Sequence, residues 1–176
     1  NRAAELDRWQ TLFATLKAKE GIYSVLGNHD YGDYVPWRSP EEKTTNMDSL
    51  IKAQKQMGFK LLLNAHDFIE KDGQRLAIIG VENWGAGEFV KNGDLSKAMS
   101  GLDADCFKIL LSHDPSHWEL KVKDEDLNIP LTLSGHTHGM QFGIEIPGKI
   151  KWSPVKWRYP YWAGMYKENN LSLIHI

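Results

Sequence analysis

Apolar positions along this chain follow two spacings, one helical and one strand-like. Residues 3–18 place Leu6, Trp9, Leu12, Phe13 and Leu16 three or four apart, which predicts a single amphipathic helix. A β-rich stretch at 22–26 then runs into the polar loop Gly27-Asn28-His29-Asp30. A second helix is read over about residues 46–57, with Leu50, Ile51, Ala53 and Met57 inward and Gly58 as its stop. Residues 59–63, 66–70 and 75–81 read as strands, the last two joined by the hairpin turn Lys71-Asp72-Gly73-Gln74. A loop over 84–93 and a short helix over 95–102 lead to a strand at 107–111, which ends in Ser112-His113-Asp114-Pro115. The strand at 130–133 opens into Ser134-Gly135-His136-Thr137-His138-Gly139, and residues 140–170 have an aromatic, Pro- and Gly-bearing β-and-loop composition. Strands alternating with helices and then following in series predict an α/β layered domain with a partly antiparallel sheet system.

Composition narrows the class. With 176 residues, 41% of them hydrophobic, the chain has the material for one globular domain. Lys plus Arg number 21 against 23 Asp plus Glu, so no excess of positive charge steers it to nucleic acid. The single cysteine, Cys106, excludes an internal disulfide framework and any multi-cysteine zinc or iron–sulfur site. The apolar runs are strand-length, well short of the roughly 20 residues of a spanning helix, so no transmembrane segment is expected in this chain. The chain opens at Asn1 without a basic leader or signal-peptide core, already in helical pattern, and the expectation is a segment whose beginning lies elsewhere.

Chemistry concentrates where strands end. Three strand-terminal loops supply Asn28, His29 and Asp30, then His113 and Asp114, then His136 and His138. Loops at the carboxyl ends of strands are where α/β sheets bind ligands. His136 and His138 are one residue apart, so in an extended segment both rings project to one side toward neighbouring metal sites. Neutral imidazole suits zinc, iron or manganese, and the amide oxygen of Asn28 is a hard, uncharged donor. Each motif alone also has a bland reading: a pair of loop histidines, a hydrogen-bonded structural His113, a Gly-Asn turn. Asp30 admits two roles, orienting the His29 ring or capping the following turn.

Together, Gly27-Asn28-His29-Asp30, a strand ending in His113, and Gly135-His136-Thr137-His138 resemble the second half of the calcineurin-like metallophosphoesterase signature. The likeness is to the bacterial branch whose last motif reads Gly-His-Thr-His-Gly-X-Gln, matched by Gly135 to Gln141. The resemblance implies a layered double β-sheet flanked by helices and a dinuclear site of two divalent metal ions (Mn, Zn or Fe) that hydrolyses phosphomonoesters or phosphodiesters. It assigns Asn28, His113 and His136 to one metal and His138 to the other. His29 becomes the phosphate-contacting general acid, supported by Asp30. The family's Asp-X-His and Gly-Asp motifs, which normally precede the Asn-His loop and carry further ligands of the first metal and the bridging carboxylate, find no match in residues 1–27. The expectation is therefore one incomplete domain over residues 1–176, its N-terminal strands missing, with at most one well-formed metal site and little activity alone. An uncovered sheet edge or apolar surface would accompany that state.

Two other readings stay open: a non-catalytic scaffold or metal-binding module of the same fold, and a mononuclear site built on Asn28, His113 and His136. The substrate class is a small phosphoester, with lipid-linked phosphates among the candidates, and relatives of the bacterial branch often carry an N-terminal membrane anchor. Outside the motif loops, His66 is read as structural or exposed. His117 is either a substrate-side or ligand-supporting contact or a helix-start residue. Trp152, Trp157, Tyr159, Tyr161, Trp162 and Tyr166 are read as edge packing ahead of a substrate surface. Residues 171–176 are either a final strand cut short or a non-native tail, and His175 is given no role.

Overall fold

A computed structural model of the protein describes residues 1–123, 127–138 and 142–175. Gly139, Met140 and Gln141, the end of the last motif, lie outside the described residues. Strand β1 (Ile22–Ser24) crosses over through helix α2 (Pro40–Gln56) to pair in parallel with β2 (Phe59–Leu61). Six further strands form one mixed sheet in the order β3-β4-β5-β6-β10-β9. These are β3 (Ala65–Lys71), β4 (Gln74–Gly80), β5 (Phe107–Leu111), β6 (Leu131–Ser134), β9 (Gly164–Glu168) and β10 (Leu171–His175). Strands β4, β5, β6 and β10 are mutually parallel, while β3 and β9 flank them in antiparallel pairing. A small antiparallel pair, β7 (Ile144–Ile146) and β8 (Ile150–Trp152), stands apart. The α/β class and its mixed sheet are as the pattern predicts.

Local chemistry accounts for most boundaries. The β3–β4 hairpin turns at Asp72 and Gly73, both with positive φ (52° and 75°), the backbone that a two-residue turn between twisted strands requires. Helix α2 starts at Pro40 rather than near residue 46, because the Ser39 hydroxyl caps the Glu42 amide and Pro40 occupies the first helical position. Gly80, which closes β4, marks the contact of the two main sheets. A Cβ there would stand 2.3 Å from Leu62 Cβ and 2.9 Å from Val25 Cγ1, so only a bare backbone lets the end of β1 approach the end of β4.

The N-terminal helix is not continuous. Residues 3–18 form a 3-10 turn at Ala3–Leu6 and one α-helical turn, α1 (Gln10–Phe13). Leu6 and Phe13 are half-buried, Phe13 edge-on to Phe59, while Trp9, Leu12 and Leu16 are exposed. A short helix draws its stability from packing its apolar face, and this stripe packs at only two positions.

Strand alternation decides what the large sheet buries. Ala77, Ile79, Leu110 and Leu173 share one face and are fully buried under Trp118 and Val122, with Ala98 of helix α3 (Leu95–Ala98). Trp118 and Val122 belong to a π-helical turn, Trp118–Val122, that continues α4 (Pro115–His117). Of the residues of opposite parity, Ile109, Leu111, Leu131, Leu133 and Ile174 are half-buried, while Ile78 on β4 is buried as well. The segment 171–175 lies inside the sheet between β6 and β9, with Leu173 fully buried and His175 nearly so. The aromatic cluster divides: Tyr159 and Trp162 are buried, whereas Trp157 is exposed and meets Trp152 edge-on.

Candidate metal centre

The parallel strands deliver three loops to one rim. Past the end of β1 the chain turns at Gly27 into a 3-10 helix over Asn28–Tyr31; β5 leads to His113; β6 leads through Gly135 to His136. Asn28 Oδ1 lies 3.0 Å from His113 Nε2 and 3.2 Å from His136 Nδ1, and the two ring nitrogens are 3.2 Å apart. Donors that share one first-row cation at about 2.1 Å stand about 3.0 to 3.4 Å from one another, so the three atoms fit the edges of such a coordination shell. Among the described residues no three His, Cys, Asp or Glu side chains cluster as a metal-holding group; the third donor of this set is an amide oxygen. One hard oxygen and two imidazole nitrogens suit a divalent manganese, iron or zinc ion.

Each member of the triad is braced from behind. Asn28 Nδ2 donates to Tyr34 Oη at 2.7 Å, which turns Oδ1 toward the histidines. The His113 ring lies against the backbone of Gly27, where a Cβ would come within 2.7 to 2.8 Å of three ring atoms. The His136 ring meets Phe89, His113 and Tyr159 edge-on, with centroids 5.1 to 5.2 Å away. Its Nε2 lies 2.7 Å from Tyr159 Oη, and that hydroxyl points to Oδ2 of the fully buried Asp114 at 3.4 Å. Burial holds the His113 imidazole down to about 4, aided by the neighbouring His136 ring. Burial also lowers His136, opposed by the Asp114 carboxylate. Both effects favour the neutral ring, which is the form that ligates.

The Gly-His-Thr-His loop is not the extended segment expected from its spacing. His136 and His138 both hold positive φ, 75° and 59°. Such conformations cost a residue with a Cβ of order 1 kcal/mol and persist where neighbours over-determine them. The fastener is visible between them. Thr137 Oγ1 lies 3.0 Å from His175 Nε2 and donates to Trp162 O, while His175 Nδ1 donates to Tyr161 O at 2.7 Å. His175, given no role from sequence, thus ties the end of β10 to the loop that carries His136.

The remaining histidines separate clearly. His29 is exposed on the same rim, stacked on Tyr34 with centroids 4.5 Å apart, and His138 is exposed as well. Asp30 accepts from the Gly27 amide at 2.8 Å, closing back on the turn that carries Asn28 and His29 rather than capping the following one; burial raises its carboxyl, and that amide opposes the rise. His117 is buried beside Trp84 with Nδ1 2.9 Å from Ser112 Oγ, and His66 Nδ1 donates to Ala98 O at 2.8 Å. Both are packing residues in this structure. Tyr34, Asp114, Tyr159 and His175 carry the supporting contacts and were not singled out from sequence for them. Only Asp114 leaves a local trace, as the residue before Pro115 that caps the Ser116 amide.

Comparison with known proteins gives the family. The profile of the calcineurin-like phosphoesterase family, Metallophos, matches residues 2–140, and the chain belongs to that family. An uncharacterized metallophosphoesterase of Bacillus subtilis is 31% identical over 163 residues, covering 92% of this chain and 50% of its own length. An uncharacterized metallophosphoesterase of Helicobacter pylori is 27% identical over 161 residues, 92% of this chain and 37% of its own. A protein of Danio rerio named as a transmembrane protein with a metallophosphoesterase domain is 25% identical over 168 residues, 92% of this chain and 34% of its own. The chain thus spans half or less of the length of these relatives. No solved structure matches it. Among the described residues no helix is long and apolar enough to cross a membrane.

Proposed function

We propose that this chain supplies the Asn28, His113 and His136 half of a dinuclear centre that hydrolyses phosphoester bonds. The observation that carries the reading is the approach of one amide oxygen and two ring nitrogens to 3.0–3.2 Å of one another from three separate strand ends. Two bound divalent ions would supply Lewis acidity and an activated water for in-line attack at phosphorus. His138 is assigned to the other ion. The Asp-X-His and Gly-Asp motifs that complete that ion's shell in the family precede the Asn-His loop there, and they have no counterpart ahead of Asn28 in these residues. This segment by itself is therefore proposed to hold at most one well-formed site and to turn over little. His29, exposed beside the triad, is assigned to the substrate phosphate and to donating a proton to the leaving oxygen. Asp30 serves it indirectly, by fixing the turn at Gly27 on which both Asn28 and His29 are mounted.

Small phosphoesters, lipid-linked phosphates included, are the proposed substrates, and manganese, zinc or iron the proposed ions. The name of the Danio rerio relative supports membrane anchoring through a segment outside this chain. The test is the full-length protein assayed on aryl phosphate mono- and diesters with added Mn²⁺ or Zn²⁺. Metal-dependent release of the phenol, abolished by His113→Ala, is the expected result. A protein that binds the ion through these residues yet cleaves neither ester class would instead be the scaffold module.

A further inference from the structure

The contacts behind His136 point to something beyond the ligand set. A histidine ligates through one nitrogen only when the proton sits on the other, and at His136 the nitrogen facing Asn28 and His113 is Nδ1. Its other nitrogen, Nε2, has two oxygens in front of it: Tyr159 Oη at 2.7 Å and Asp114 Oδ2 at 3.5 Å. Asp114 is fully buried, and its Oδ1 is already engaged by both the amide and the hydroxyl of Ser116, at 2.8 and 2.7 Å. Oδ2 is therefore a fixed acceptor. The Tyr159 hydroxyl, 3.4 Å from it, donates there and turns its own lone pairs to Nε2. The resulting chain, His136 Nε2–H to Tyr159 Oη–H to Asp114 Oδ2, leaves Nδ1 bare. Asn28 Oδ1 only accepts, so its 3.2 Å approach to Nδ1 sets two lone pairs face to face, an arrangement that a cation relieves.

We propose that Tyr159 and Asp114 are positioning residues that hold His136 in the tautomer and orientation a metal ion requires at Nδ1. The proposal rests on the reading of the triad as a metal site. It deepens that reading by assigning the supporting shell to a tyrosine from the aromatic segment and to the buried carboxylate next to His113. Gly85 makes the arrangement possible: a Cβ there would stand 2.6 Å from Asp114 Oδ2 and displace the carboxylate.

The experiment compares Mn²⁺ binding by calorimetry in the full-length protein and in the variants Tyr159→Phe, Asp114→Asn and His113→Ala, with ¹⁵N NMR of the His136 ring in metal-free protein. Outer-shell partners of metal-bound histidines typically contribute 10- to 100-fold in affinity. Tyr159→Phe is expected to weaken Mn²⁺ about tenfold and Asp114→Asn nearer a hundredfold. The asparagine keeps an oxygen for Ser116 but presents an amide where the Tyr159 hydroxyl needs an acceptor, which turns the tyrosine's proton toward His136 Nε2. The metal-free wild type is expected to show the Nε2–H tautomer, with a shift toward Nδ1–H in Asp114→Asn. Packing alone would lower thermal stability without moving tautomer or affinity. Wild-type affinity in both variants, while His113→Ala still abolishes binding, overturns the proposal and leaves the metal site standing. Mn²⁺ binding indifferent to His113→Ala overturns the metal reading, and the proposal with it. Should Asp114→Asn fail to fold, an Nδ1–H tautomer in wild type or unchanged affinity in Tyr159→Phe still refutes the proposal.

Discussion

Two pairs of histidines share the rim formed by the loops that follow β1, β5 and β6 and are treated in opposite ways. His113 and His136 are enclosed by rings and backbone, held neutral by burial, and aimed at one another and at Asn28. His29 and His138 stand exposed a residue or two along the same loops. The difference teaches what each position is fitted for. For the two rings of the proposed triad, enclosure keeps the nitrogens bare and fixed before an ion arrives. His138, proposed for the other ion, is exposed, so the contrast in role holds against His29 alone. A group that meets substrate and passes a proton has to be reachable, which enclosure would prevent.

The most severe way to break the contrast is Gly27→Ala. The added methyl would sit 2.7 Å from His113 Cε1, so the ring must leave its place. Overpacking of this kind costs about 1 to 3 kcal/mol of stability. Loss of one of three ligands should also cut cation affinity by at least about a hundredfold, as read by calorimetry. His29→Ala tests the exposed side: turnover of an aryl phosphate should fall about 10²- to 10⁴-fold with metal content by elemental analysis unchanged. Equal loss of metal and turnover would place His29 among the ligands instead.

The smallest effect concerns an enclosed imidazole away from the triad. Burial lowers His117 from its ordinary value of 6.5 to about 4, with the Lys121 ammonium adding to it. The unfolded chain therefore binds a proton between pH 6.5 and 4 that the folded chain refuses. Stability from this group is complete above about pH 6.5 and declines as the pH falls toward 4, by about 2 kcal/mol at pH 5. Urea unfolding at pH 7 and pH 5 should show that loss, and His117→Gln should flatten it.

Much of the architecture was legible as local pattern. The strand-length apolar runs in residues 75–81 and 107–111, the Asp72-Gly73 turn and the polar strand ends are short-range signals, and β4, β5 and the β3–β4 hairpin lie where those signals put them. The amphipathic stripe of residues 3–18 misled for the complementary reason. Its periodicity is helical, but periodicity does not say whether a surface exists to receive it. The start of α2 is set by Ser39 and Pro40, a cap and first-position proline that the apolar spacing of residues 46–57 does not reveal.

For the proposed centre, residue types at the ends of apolar runs marked the candidate donors: an amide and imidazoles in polar turns, with glycines beside them. Sequence alone marks such candidates because turn chemistry and strand-length apolar runs act over a few residues. Which atoms face one another was decided only by tertiary structure. His113 and Asn28 are 85 positions apart, and Tyr159 reaches His136 across 23. Such meetings depend on strand order, on the bare backbone of Gly27 and Gly80, and on the insertion of β10 beside β6. None of these has a short-range signature, because each is a property of how whole layers close on one another.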